Sequence, residues 1–219
     1  MQLASVVLAR VFALFEIGDL NPEGHVHYPD LVSALVERYA FAKFPSTPDQ
    51  FDESKGITFE MGKWNDVVIE KTSILSGGLI VETANTDTAE AVLEDAMKWA
   101  AAEFRLTLRP EILKRRAFVS QVTFYSEAPI LMMNPVLDRI SARVTKEVAA
   151  NLGLPLKYEP TAIAINIDKV MSQLTPAPFT IERREGVPFA DKKYFSSAPL
   201  RTNLHMELLA EMEKVFAKS

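Results

Sequence analysis

Phe118-Val119-Ser120-Gln121-Val122-Thr123-Phe124-Tyr125-Ser126-Glu127-Ala128-Pro129-Ile130 is the stretch on which the fold turns. Its first part is rich in β-branched and aromatic residues and reads as a strand from Arg116 to Tyr125. Ser126 to Pro129 stops that strand, and the short apolar run Leu131-Met132-Met133 leads to Asn134-Pro135, a helix cap followed by a first helical residue. The run Tyr194-Phe195-Ser196-Ser197-Ala198-Pro199-Leu200 echoes Phe124 to Ile130 later in the chain. In both copies serine can bond the backbone, alanine can pack, and proline fixes φ. The echo therefore reads as a way to end a strand and aim a helix. It sits at the start of a second half, with the boundary falling between Pro110 and Arg116.

Working back from that boundary, the apolar run Leu3 to Ile17 reads as one long strand closed by Gly18 and the turn Asn21-Pro22-Glu23-Gly24. Pro29 opens a helix whose stripe is Leu31, Val32, Leu35, Val36 and Tyr39. After a polar loop from Pro45 to Gly56 come three strands, Ile57 to Trp64, Val67 to Ser73 and Leu79 to Thr83, joined at Asn65-Asp66 and Gly77-Gly78. A second helix begins near Thr86-Asp87, with Glu90 placed for a capping box.

Forward of the boundary the same order returns. The strand Arg116 to Tyr125 is followed by a helix from Pro135, with Leu137, Ile140, Val144 and Val148 on its expected inner face and Gly153 as its stop. Strands follow at Tyr158 to Ile167, Phe179 to Arg184 and Lys193 to Phe195. A last helix from Thr202-Asn203 carries the stripe Leu204, Leu208, Met212 and Val215. The expected fold is α+β: a mainly antiparallel sheet covered by helices, built from two β-α-β-β-β-α units over residues 1–110 and 111–219 that form one globular unit with a curved, saddle-like sheet. In layout alone this order resembles the TATA-binding-protein saddle.

Apolar residues make up 48% of the 219, enough for a sizeable core, and the net charge of −5 argues against a surface that binds nucleic acid throughout. With no cysteine, the chain has no disulfide, thiolate metal site or cysteine nucleophile. Arg10 interrupts the apolar N-terminal run, which is too short to span a membrane, so the expected compartment is the cytoplasm and no membrane partner is expected.

Three constellations carry chemistry. His25 and His27 share a side of an extended backbone, and Asp30 offers a third ligand for zinc, nickel or iron, against a plain reading as a polar turn before a helix. Arg10 and Glu16, with Asp19 nearby, have the even spacing of one strand face and form a candidate buried polar network. Lys114, Arg115 and Arg116 open one strand, Arg183 and Arg184 end another, and Lys192 and Lys193 follow a turn. With Phe179, Tyr194 and Phe195 they form a candidate site for nucleic acid or another anion. Ser126 and Ser196 sit at strand-to-helix turns without a local histidine, and no Gly-x-Ser-x-Gly elbow or phosphate loop is present. No cofactor is called for. The leading expectation is a non-catalytic binding or assembly module that associates with itself or with another protein. The alternatives are a nucleic-acid-binding saddle and a small metal-dependent hydrolase at His25, His27 and Asp30.

Overall fold

The architecture is that of a computed structural model, which describes residues 1–217 except 25, 53, 110–114, 133 and 171–174. Its elements run β1 (Gln2–Leu14), α1 (Ile17–Leu20), α2 (Tyr28–Tyr39), β2 (Ile57–Trp64), β3 (Val67–Leu75), β4 (Gly78–Thr83) and α3 (Thr86–Glu103). They continue with β5 (Arg116–Tyr125), α4 (Pro135–Leu152), β6 (Ala162–Ile165), β7 (Phe179–Arg183), β8 (Lys193–Ala198) and α5 (Thr202–Ala217). The eight strands make one open antiparallel sheet in the order β2-β3-β4-β1-β5-β8-β7-β6, and the fold is α+β. No helix among the described residues is long and apolar enough to cross a membrane.

The chain divides into two compact units, Val6–Ser120 with Pro199–Thr202, and Gln121–Ala198 with Met1–Ser5 and Asn203–Ser219. Both have the strand order second-third-fourth-first, β2-β3-β4-β1 in one and β6-β7-β8-β5 in the other. In each, a helix follows the first strand and another follows the fourth.

In the first unit one sheet face is covered. Val11 and Ala13 of β1, Phe59 of β2, Ile69 of β3 and Val81 of β4 are fully or almost fully buried beneath Val32, Leu35 and Tyr39 of α2 and Val92, Leu93 and Met97 of α3. At roughly 25 cal/mol per Å² of apolar surface, each such side chain contributes about 1.5–3 kcal/mol. The two helices are tied by charge. Arg38 of α2 forks onto Asp95 of α3 at 2.9 Å, and the Tyr39 hydroxyl donates to the same carboxylate at 2.6 Å. Burial, reinforced by Asp95, raises the Tyr39 phenol well above its ordinary range, so it stays a donor. Arg38 also lies over the rings of Tyr39 and Trp99.

Local capping chemistry sets the helix ends. The Asn85 side chain accepts from Thr88 N at 2.8 Å, so Asn85 caps α3, which starts at Thr86. Glu90, expected in a capping box, instead binds Arg201 at 2.6 Å. Asn134 caps α4 through Val136 N at 2.9 Å, Pro135 is its first residue, and Gly153 ends it at φ 66°. β1 stops at Leu14, short of Ile17, because the chain turns into α1. β6 covers four residues rather than the longer strand expected from Tyr158 to Ile167.

The two-residue connection between β3 and β4 is Ser76-Gly77, and Gly78 already belongs to the ladder opposite Leu14. A Cβ on Gly78 would lie 1.9 Å from the Ala13 carbonyl oxygen, and its φ is +142°. Gly77 has nothing within 4 Å of such a carbon. Gly78→Ala is therefore expected to destabilise by more than about 2 kcal/mol, whereas Gly77→Ala stays within about 1 kcal/mol. Urea unfolding midpoints of the two variants check this contrast.

Candidate functional site

The second unit holds the feature that stands out chemically. α4 contains an apolar stripe, yet none of its residues is buried. The stripe faces outward: Val136 is 52% exposed, Ile140 53%, and Leu137 and Val144 are exposed as well. Its half-buried line is instead Asp138, Ser141, Thr145 and Val148-Ala149, at the spacing of one helical face. Asp138 Oδ1 is buried there without a hydrogen-bond partner, and Thr145 Oγ1 accepts from Tyr158 N at 2.8 Å. The inner face expected from Leu137, Ile140 and Val144 is thus the outer one, and only Val148 of that stripe is half-buried. The corresponding helix of the first unit, α2, buries Val32, Leu35 and Tyr39.

The apolar exposure continues past the helix through Leu152, Leu154, Leu156 and Tyr158 to Ile165 and Ile167. Among the described residues, eleven of the twenty exposed large hydrophobic side chains lie between Val136 and Val170. Single exposed apolar side chains are normal for any protein, whereas Val136, Leu137, Ile140 and Val144 share one face of α4. On one rim of the helical stripe stand Arg143 and Glu147, both exposed and neither in an ion pair among the described residues.

The residues singled out in the sequence are distributed as follows. His25 lies outside the described residues, and so does Lys114. His27 Nδ1 stands 3.5 Å from Asp30 Oδ2, with both side chains exposed. Among the described residues no three His, Asp or Glu side chains are grouped to hold a metal ion. Arg10 does not pair with Glu16. Its partner is Glu82, directly opposite on β4, at 2.6 Å. Glu16 lies beyond the end of β1 as the exposed N-cap of α1, so the strand parity that linked it to Arg10 no longer applies.

Arg115 and Arg116 belong to the first unit, and Arg183, Arg184, Lys192 and Lys193 to the second. Within the second unit the expected interleaving of cations and rings is present. Arg183 lies over Phe189 and Tyr194 and binds Glu159 at 3.0 Å, and Arg184 lies over Phe195. Lys192 pairs with Glu127, and Lys193 lies over Tyr125. These rings and cations are engaged with one another inside the unit.

Ser196 has a histidine after all, supplied by α5. Ser196 Oγ is 2.8 Å from His205 Nε2 and 2.7 Å from the Thr180 carbonyl oxygen, and Ser196 and His205 are both fully buried. A carbonyl can only accept, so the single serine proton goes to Thr180. His205 Nε2 therefore carries a hydrogen and donates to Ser196. A base that already holds its proton cannot activate that serine, so this pair joins α5 to β8 and is not a nucleophile with its base. The sequence pattern missed the pair because the inner line of α5 runs through His205 and Leu209, one residue on from the expected stripe. Leu204 and Val215 are exposed. The signal that was available is the nine-residue reach from Ser196 in β8 to the first turn of the next helix.

Comparison with protein-family models, with curated proteins and with solved structures yields no match. The chemistry of the site thus rests on its own geometry.

Burial lowers the His205 pKa from its ordinary 6.5 to about 4. Above pH 6.5 the ring is neutral folded and unfolded alike, and it adds no pH dependence. Between 6.5 and about 4 the unfolded chain takes up a proton that the folded chain refuses, so stability falls as pH falls. The full loss is about 3 kcal/mol, at 1.36 kcal/mol per pH unit. His205→Leu is expected to flatten the stability profile between pH 6.5 and 5, measured as urea midpoints against the parent chain.

Proposed function

We propose that the protein is a non-catalytic assembly subunit, and that the outward stripe of α4 is covered by α4 of a second copy of the same chain. The observation that carries this reading is the inversion of α4, which puts its polar line inward and its valines, leucine and isoleucine outward. Water penalises that arrangement and a partner surface removes the penalty.

Self-association is favoured by charge. Arg143 and Glu147 lie two residues either side of Thr145, on the same rim of the stripe. In an antiparallel two-fold pairing centred near Thr145, Arg143 stands opposite Glu147 of the partner subunit, and Glu147 opposite the partner's Arg143. The same register interleaves Ile140, Val144 and Val148 with their copies. An isologous contact requires this kind of self-complementarity. A nucleic-acid partner has less in its favour, because the cations and rings of the second unit already engage one another.

Charge reversal tests the register. Arg143→Glu sets like charges opposite each other twice and is expected to weaken self-association about tenfold in sedimentation velocity. Glu147→Arg does the same, and the double reversal restores the parent affinity. A monomeric parent chain, or a double reversal no better than either single one, contradicts the proposal.

A further inference from the structure

The sheet of the first unit presents matched rows of side chains to α2 and α3. Ile57, Ile74, Leu79 and Ala13 stand side by side across β2, β3, β4 and β1, and Phe59, Thr72, Val81 and Val11 form the row beside them. Thr72 is the exception in these rows, a hydroxyl among seven apolar side chains, and its row neighbours Phe59, Val81 and Val11 are fully buried. A valine has the same shape and no hydroxyl to satisfy, so threonine is the costlier residue at this place.

Thr72 lines a cavity of about 110 Å³ between the sheet, α2 and α3. Buried Leu35, Ile69, Val92 and Met97 line it too, with half-buried Ile17 and Leu106 at its rim. Thr107 N donates to the Leu20 carbonyl oxygen at 2.8 Å, which ties the segment after α3 to α1 beside that rim. Among the described residues no Lys, Arg, His, Asp or Glu side chain lines the cavity. Of its polar side chains, Tyr39 is committed to Asp95, Tyr28 is engaged as well, and Asn21 Oδ1 is shut off from accessible space. The Thr72 hydroxyl makes no hydrogen bond with any described residue, and it is not among the polar atoms shut off in that way.

Native interiors pack densely and rarely leave a void much larger than a water. An apolar cavity of about 150 Å³ stays dry and accepts benzene, and this one is of the same order. We infer that the cavity binds a small neutral molecule, about one six-membered ring in size, whose single hydroxyl or carbonyl oxygen meets the Thr72 hydroxyl. A threonine hydroxyl both donates and accepts, so it serves either group. A carboxylate ligand is disfavoured, because its charge would be buried among apolar side chains with no cation among the described lining residues to meet it.

Phenol is the probe, with benzene and benzoate as controls, added to the full chain and followed through the methyl resonances of Leu35, Ile69, Val92 and Met97. Phenol is expected to shift them saturably and benzoate not at all. Thr72→Val keeps the shape of the wall and is expected to weaken phenol about five- to tenfold, the loss of one hydrogen bond, while benzene binds as tightly as before or more so. Thr72→Ser keeps the hydroxyl and is expected to keep phenol. Ala96→Leu adds bulk to the wall on α3 and is expected to abolish binding of phenol and benzene while the melting temperature holds or rises, which separates a filled cavity from a misfolded chain. Absence of a saturable shift with phenol, phenol bound equally well by Thr72→Val, phenol lost from Thr72→Ser as far as from Thr72→Val, or benzoate bound as tightly as phenol overturns the inference.

Discussion

A sheet face and an amphipathic helix each have one apolar side, and neither is stable until that side is covered. In the first unit the requirement is met within the chain. α2 and α3 close over β1 to β4, and the Arg38–Asp95–Tyr39 cluster fixes how the helices meet. In the second unit, α5 meets it over β5, β7 and β8 through Leu209 and the His205–Ser196 bond, with Val122, Phe124, Ile181 and Tyr194 beneath. α4 does not meet it, although it occupies the place in the element order that α2 holds in the first unit. The account of function follows from that one unsatisfied stripe.

Much of the fold was legible because the signals that set it are local. Asn134, Pro135 and Gly153 delimit α4 by capping chemistry that depends on a few neighbouring residues. The limits of β2 and β5 followed from alternation and from turns such as Asn65-Asp66, where Asn65 takes a positive φ. What was not legible depends on contacts remote in sequence. The spacing of Arg10 and Glu16 could not show that Glu82 stands across the ladder. Nor does a helical stripe say which side meets the protein. Hydrophobicity predicted the inward face of α2 correctly, placed the inward line of α5 one residue off, and reversed that of α4.

The two units also use their polar groups differently. His205 and Ser196 have the composition of a catalytic pair, but the direction of their protons makes them a structural bond, a distinction only geometry can draw. In the first unit Arg38 and Tyr39 share the Asp95 carboxylate, and that cluster joins one helix to another rather than a helix to a strand.

The most direct measurement of the central claim uses the absence of cysteine in the chain. A single Val144→Cys substitution puts a thiol on the outward stripe of α4, near the expected two-fold axis, and Arg139→Cys puts one on the exposed polar face of the same helix. Under mild oxidation the account predicts rapid, near-complete covalent dimer from Val144→Cys and little from Arg139→Cys. Equal and slow cross-linking of both variants would contradict it.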